Sequence, residues 1–493
     1  MSKKIKWISQ QVVLPVSAGL KTRSKAARAK ATRNARKLPK TTLLQVRESK
    51  SLLPTPQEVS ETERSNKHET SSMTENVERQ LDNRGRVTKF AGNESEYVNK
   101  VLEAETWSST YCSGQSWSRS LEIAFAKKIG TKYAIAMNSG TSTLHASLIA
   151  AGVKAGDEVI SPALTVIMDT TTTLHANAIP VYADIKEDTW TIDPDDVKRK
   201  ITPKTKAIIV VTIYGLPVHY DEIMVIAAEH GLSVIEDNAE CYLAMYKGRM
   251  TGTIGHFSSY SFENTKHLSC GEGGIVLTND ESGATLVRKA GGHGFMSLGA
   301  AESRVVQAAG LDVSDPDFKR HDVLGWNYRM PEFCAAIALA QLEKVDLLVG
   351  HRVKSAQEYA AALEETNCNF LRVQHVPEGW THSYWCWSVL FVPENANGVT
   401  HKEFRELFRS AGGSNVRAAW SVPYLEPLMS TGAFKDRLPQ IYEGVSYAAG
   451  LCPVAEKLQR NIIQFKTSMR DPTEIKTETD ALRKAIHAVQ ARQ

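Results

Sequence analysis

Residues 132–152 read KYAIAMNSGTSTLHASLIAAG, and the change of rhythm at their centre decides the fold. Lys132 to Ser139 is a run of strand length. Thr141 to Ala151 carries a helical pattern and closes on Gly152, a residue suited to a helix end. A strand that passes through Gly140 straight into a helix is the first half of a crossover unit. The alternation then repeats. "DEVISPA", "IPVYADI" and "KAIIVVTIY" read as strands, as does "LSVIED" after the helix-like "YDEIMVIAAEHG". Strands separated by helical stretches predict a mostly parallel sheet covered by helices on both faces, which is an α/β domain.

Near residue 330 the texture changes. "PEFCAAIALAQLEKVDLLVGHRVKSAQEYAAALEE" is helix-rich, and strand-like "SYWCWSVLFV", helical "HKEFRELFRSAG" and a closing helix near "ETDALRKAIHAV" follow. These patterns predict a large domain over residues 86–344 and a smaller α+β domain over 345–493. Residues 1–85 differ from both. Residues 1–47 hold thirteen Lys or Arg and no acid, so a chain of net charge +4 leaves +4 − 13 = −9 for the remainder. A Ser/Thr/Glu-rich stretch follows, and neither segment has the apolar residues to form a core, so disorder is expected there. The basic arm is open to three readings: a solvated tail, a contact for nucleic acid or an acidic surface such as an anionic membrane, and a targeting peptide. Only its charge speaks for such a contact.

The whole chain has 493 residues, 42% hydrophobic and 23% charged, a composition typical of a soluble globular protein. Apolar runs in the folded part, such as Ala207 to Ile213 broken by Thr212, fall far short of the roughly 20 residues that span a bilayer, so no membrane span is expected. Seven scattered cysteines, with no C-x-x-C and no histidines at metal spacing, read as reduced thiols in a cytoplasmic protein without a metal site.

In open α/β sheets ligands sit beyond the carboxyl ends of the strands, which directs attention to four places. At "NSGTSTLH" the free N–H groups of a helix start can bind a phosphate, although a plain capped helix explains the same residues. At "VIEDNAEC", Glu236 and Asp237 end a strand. A carboxylate there can hold a protonated ring nitrogen, a metal or a ribose hydroxyl, or simply be solvated. "SFENTKHLSCGEGG" places Ser261 and Lys266 on the connection between two strands, and a partly dehydrated lysine there can form a Schiff base with a carbonyl. "GWNYRMPE", at the domain junction, reads as a loop leading into a helix.

The order of these features resembles the sugar aminotransferases of the DegT/DnrJ/StrS type, which are fold-type-I pyridoxal-phosphate enzymes. The resemblance covers roughly residues 86–460 and includes the phrases "GDEVISPALT", "ITPKTKAII", "YKGRMTGTIG" and "GEGGIVLTND". It implies that Lys266 forms the Schiff base with pyridoxal phosphate and then moves a proton between the amino donor and the cofactor. It also implies that Asp237 pairs with the ring nitrogen, and that Gly140, Thr141 and Ser261 hold the phosphate. Asn327 matches the residue that reaches the phosphate of the neighbouring subunit, which implies a homodimer with shared active sites. The implied reaction moves an amino group from glutamate or glutamine to a ketone on a nucleotide-linked deoxysugar, such as a 4-keto-6-deoxy sugar. Amination of a cyclitol ketone or an aromatic precursor is the alternative within the family. A silent member that regulates through its basic arm is the alternative outside it.

Two positions depart from the family pattern. Val166 stands where an aromatic residue often stacks on the cofactor ring, and Glu240 stands where Gln or His usually faces the cofactor's phenolic oxygen. A carboxylate there repels that oxygen unless one of the two is protonated. A related dehydratase branch carries His at the lysine position, and Lys266 argues against that branch. His293, His321 and Arg417 to Trp420 are further candidates for substrate contact, with structural roles equally open.

Overall fold

A computed structural model of the chain describes residues 88–104, 116–301 and 315–492. The expectation for residues 1–85, and Cys112, lie outside them. In chain order the first strands are β1 (Tyr133–Met137), β2 (Glu158–Pro162), β3 (Ile179–Ala183), β4 (Thr205–Val211) and β5 (Ser233–Asp237). A short hairpin, β6 (Met245–Tyr246) and β7 (Arg249–Met250), precedes β8 (Phe257–Ser261) and β9 (Gly274–Thr278). Seven strands form one sheet in the order β1-β9-β8-β5-β4-β2-β3. The pairs from β8 through β5, β4 and β2 to β3 are parallel. Strand β9 is antiparallel to both β1 and β8.

The expected α/β sheet is therefore present, and its burial explains the unbroken apolar runs. Along β4, Ile209 and Val211 join one core while Ile208 and Val210 join another, as the alternation of side chains across a pleated sheet requires. Both faces are covered, so the strand reads as continuous Val and Ile rather than as alternating polar and apolar residues.

The alternation has its largest consequence on β5. Val234 belongs to one core and Ile235 to the other, so the adjacent acids Glu236 and Asp237 face opposite sides of the sheet. Glu236 is fully buried and accepts from the Tyr220 hydroxyl at 2.7 Å and from the N–H groups of Gly252, Ile254 and Gly255 at 2.8, 2.9 and 2.6 Å. Its carboxylate gathers the turn before β8 onto the end of β5. Glu236 is thus a structural acid, which leaves Asp237 for the opposite face.

Past residue 330 the helix-rich stretch forms two helices, Glu332–Glu343 and Val345–Glu365, broken at Lys344. A four-stranded sheet follows, built from β10 (Leu371–Val373), β11 (Cys386–Phe391), β12 (Arg417–Ala418) and β13 (Ile462–Lys466) in the order β10-β11-β13-β12, with every pair antiparallel. One face of it, with Trp387, Val389, Phe391 and Phe465, packs in a core with Phe404, Phe408 and Leu482. The other face, with Cys386, Leu390 and Ile462, joins the core of the large sheet. No helix among the described residues is long and apolar enough to cross a membrane.

Replacing Glu236 with Ala strands one buried and two half-buried N–H groups and a buried tyrosine hydroxyl. Each net hydrogen bond to a charged group is worth about 1.5–3 kcal/mol, so the loss should exceed about 3 kcal/mol. Urea unfolding of Glu236→Ala should show this as a lower midpoint with an unchanged slope.

Candidate active site

The carboxyl ends of β1, β5 and β8 converge on one place. After β1 the helix begins at Gly140, one residue earlier than the sequence suggests, because Ser139 caps it. The Ser139 hydroxyl accepts the Ser142 N–H at 3.0 Å, and the Ser142 hydroxyl accepts the Ser139 N–H at 3.1 Å. The N–H groups of Gly140 and Thr141 have no partner among the described residues. Gly140 lies so close to the end of β8 that a Cβ there would meet the Ser261 Cβ at 2.8 Å and Oγ at 3.2 Å. The Thr143 hydroxyl, 2.6 Å from the Ser259 hydroxyl, ties the same helix turn to β8. Two free donors and the Ser261 hydroxyl therefore share one corner.

Lys266 sits in the β8–β9 connection. The Glu263 carboxylate fastens this turn by accepting the Thr265 N–H and hydroxyl at 2.9 and 2.6 Å. Arg352, from the Val345–Glu365 helix, donates to the carbonyls of Thr265 at 2.7 Å and Lys266 at 3.3 Å. The Trp385 indole also donates to Thr265, at 3.1 Å. The side chain is 12% exposed, with its Nζ 3.4 Å from Glu240 Oε1 and 4.7 Å from the centre of the Trp385 ring. The other Glu240 oxygen accepts the Tyr214 N–H at 3.0 Å, and Tyr214 takes a left-handed φ of 63°. Glu240, expected to face a cofactor oxygen, is thus held by two donors of this chain.

Asp237 is 3% exposed and accepts the Ala239 N–H at 2.9 Å. Burial raises its pKa to about 6, against the downward pull of the Ala239 N–H and the Lys266 charge. Beside it lies a residue the sequence reading passed over. Asp169, in the first turn of the Met168–His175 helix, is fully buried, and one of its oxygens accepts the Thr165 hydroxyl at 2.5 Å. An acid in a first helix turn ordinarily complements the helix dipole, so it carries no signal of its own. Its place just beyond the carboxyl end of β2 is the clue that was available.

The remaining candidates divide. Val166 is half-buried in the turn between β2 and that helix. Asn327 is exposed, and its carbonyl accepts the Asn138 side-chain amide at 3.4 Å, which docks its loop beside the Gly140 helix start. His321 bonds through Nδ1 to the His293 carbonyl at 2.9 Å, a contact within their own loops. Arg417 lines the cavity that opens beside Lys266. No cluster of His, Cys, Asp or Glu among the described residues is placed to hold a metal ion.

Residues 89–478 match the family model described as the DegT/DnrJ/EryC1/StrS aminotransferase family. The chain belongs to this family. It is 37% identical to the GDP-perosamine synthase of Escherichia coli O157:H7 over 302 residues, which cover 61% of this chain and 76% of that protein. The solved structure of an aminotransferase from Psychrobacter cryohalolentis matches with a TM-score of 0.71 at 29% identity, covering 80% of this chain and 97% of that one. A GDP-4-keto-6-deoxymannose-3-dehydratase with bound GDP-perosamine matches with a TM-score of 0.65 at 26% identity, covering 79% and 97%.

Members of this aminotransferase family depend on pyridoxal phosphate. The donor set here fits that group. A phosphate needs several donors, and the corner of Gly140, Thr141 and Ser261 offers them. An aldehyde needs an amine, and Lys266 presents one within reach of two carboxylates.

In this aminotransferase Gly140→Ala should force the helix start away from β8. Overpacking of this kind costs about 1–3 kcal/mol. Urea unfolding of the cofactor-free variant should show that loss, and inorganic phosphate should protect the variant less than it protects the parent protein.

Proposed function

We propose that the protein transfers an amino group from glutamate or glutamine to the keto group of a nucleotide-linked 4-keto-6-deoxy sugar, and that it does so in the cytoplasm. The observation that carries the sugar-nucleotide reading is the cavity of about 680 Å³ beside Lys266. Its lining includes Lys89, Lys266, Arg352, Arg417, Lys466 and Arg470, against the single carboxylate of Glu474. Burial, followed by the neighbouring charges of Arg352 and Arg470, pushes Lys89 down to about 8 against the opposing pull of Glu263. A diphosphate is the kind of ligand that such an excess of lining cations favours. The GDP-linked product named for the similar synthase has the same chemistry.

Bound pyridoxal phosphate supplies an aldehyde to carry the amino group and a ring to accept the electrons released when the donor's α-proton leaves. The Gly140 and Thr141 N–H groups and the Ser261 hydroxyl hold the phosphate, and Asp237 faces the ring nitrogen as an anion. Lys266 anchors the cofactor and then carries the proton taken from the donor's α-carbon. Glu240, fixed by the Tyr214 N–H, orients the lysine, and Val166 gives the ring an aliphatic neighbour. The exposed side chain of Asn327 reaches the phosphate of a second copy, so the working unit is a homodimer with shared sites.

Borohydride should fix the cofactor on Lys266, and Lys266→Ala should abolish both the fixation and at least about 10²–10⁴-fold of turnover. A panel of keto-sugar nucleotides, cyclitol ketones and aromatic ketones, offered with each amino donor, should give product with the sugar nucleotides. Amination confined to another class would overturn the substrate assignment. Arg417→Ala should raise the KM for the sugar nucleotide about tenfold with kcat retained, the pattern of a lost binding contact. Mixed Lys266→Ala and Asn327→Ala subunits should recover activity that neither variant shows alone; absence of recovery would argue against the shared site.

A further inference from the structure

Three carboxyl groups meet at the carboxyl ends of β2 and β5: Asp169, Asp237 and Glu240, buried to 0%, 3% and 5% exposure. Lys266 faces two of them, lying against Glu240 and within electrostatic reach of Asp237. Asp237 also has the Ala239 N–H, and Glu240 the Tyr214 N–H. Among the described residues Asp169 has neither a cation nor a backbone N–H. One of its oxygens accepts the Thr165 hydroxyl, and the other, Oδ1, is buried with no donor among the described residues. The carboxyl interacts directly with that of Asp237.

Two carboxylates so placed, out of water, repel each other, and neither can donate. A single proton between them changes repulsion into a hydrogen bond. The proton belongs on the acid with the poorer anion environment, which is Asp169. Burial, followed by the charge of Asp237, drives its carboxyl well above the usual range. The Thr165 hydroxyl pulls the other way, toward the anion, but it ranks below burial and the charge of Asp237. Glu240 repels a charge there, and Tyr182 on β3, whose hydroxyl bonds Thr170 at 2.9 Å, offers no cation.

We propose that Asp169 is a resident carboxylic acid that stays neutral at working pH and donates its proton to Asp237, so that Asp237 remains an anion on the side where the ring nitrogen binds. Asp169 is then a positioning residue. Burial alone would drive Asp237 toward its neutral form, which holds no pyridinium charge. A donated hydrogen bond lowers its proton affinity and opposes that drift. The proposed role rests on Asp237 facing the ring, whereas the protonation of Asp169 can be read without any cofactor.

Infrared difference spectra of the cofactor-free full chain at neutral pH test the protonation. A protonated-carboxyl C=O band should be present in the parent protein and in Asp237→Asn, and absent from Asp169→Asn. A parent protein without the band, or a band that survives Asp169→Asn and vanishes in Asp237→Asn, would overturn the proposal. The cofactor-loaded enzyme tests the role. Asp169→Asn keeps an N–H donor and should leave the pH midpoint of the bound cofactor's absorption band unchanged. Asp169→Leu should displace it by about one unit, a tenfold change in proton affinity. A midpoint that moves in Asp169→Asn as far as in Asp169→Leu, or in neither, would refute it. Should the leucine variant fail to fold, the infrared comparison of Asp169→Asn with Asp237→Asn still decides. Should the protein bind no cofactor, the infrared result stands while the proposed reaction falls.

Discussion

The pleat of β5 is the constraint on which the site depends. Glu236 and Asp237 are consecutive acids, both buried, and a strand must send consecutive side chains to opposite faces. On one face Glu236 binds three N–H groups of the turn that leads into β8. That turn sets where β8 starts, and the end of β8 places Ser261 against the Gly140 helix start. On the other face Asp237 stands beside Lys266 and Asp169. A structural carboxylate and a functional one are thus held in register by a single peptide unit.

How much of this was legible in the sequence follows from which physical signals are local. The apolar runs of β2, β4 and β5 are legible because both faces are buried. The Gly140 turn is legible because the strand pattern before it gives way to a helical one directly after it. Without the family resemblance, which singles out Asp237, the two halves of the Glu236-Asp237 pair could not be told apart, since only the placement of distant N–H groups makes Glu236 structural. Asp169 was hidden for a related reason: its neighbour Asp237 is far away in sequence, and in isolation it reads as a first-turn acid. The departure at Glu240 was visible, but its partners, the Tyr214 N–H and the Lys266 amine, were not.

The cationic cavity shows a similar division between local and assembled features. Lys89 comes from the start of the described chain, Arg352 from the long helix, and Arg417 and Lys466 from the second sheet. None of these stretches is notably basic in sequence. The concentration of charge arises only when the second sheet packs its Cys386 and Ile462 face into the core of the first.

Arg352 gives this assembly an indivisible character. Its guanidinium is buried, and its hydrogen-bond acceptors among the described residues are all neutral: the carbonyls of Thr265, Lys266 and Trp385 and the Thr467 hydroxyl. A loop transplanted from this protein into another scaffold would leave behind the cation that its carbonyls were bent to meet. The unit of exchange between relatives, in recombination or in engineering, is therefore the lysine turn together with residues 352 and 385, which lie far from it in the gene.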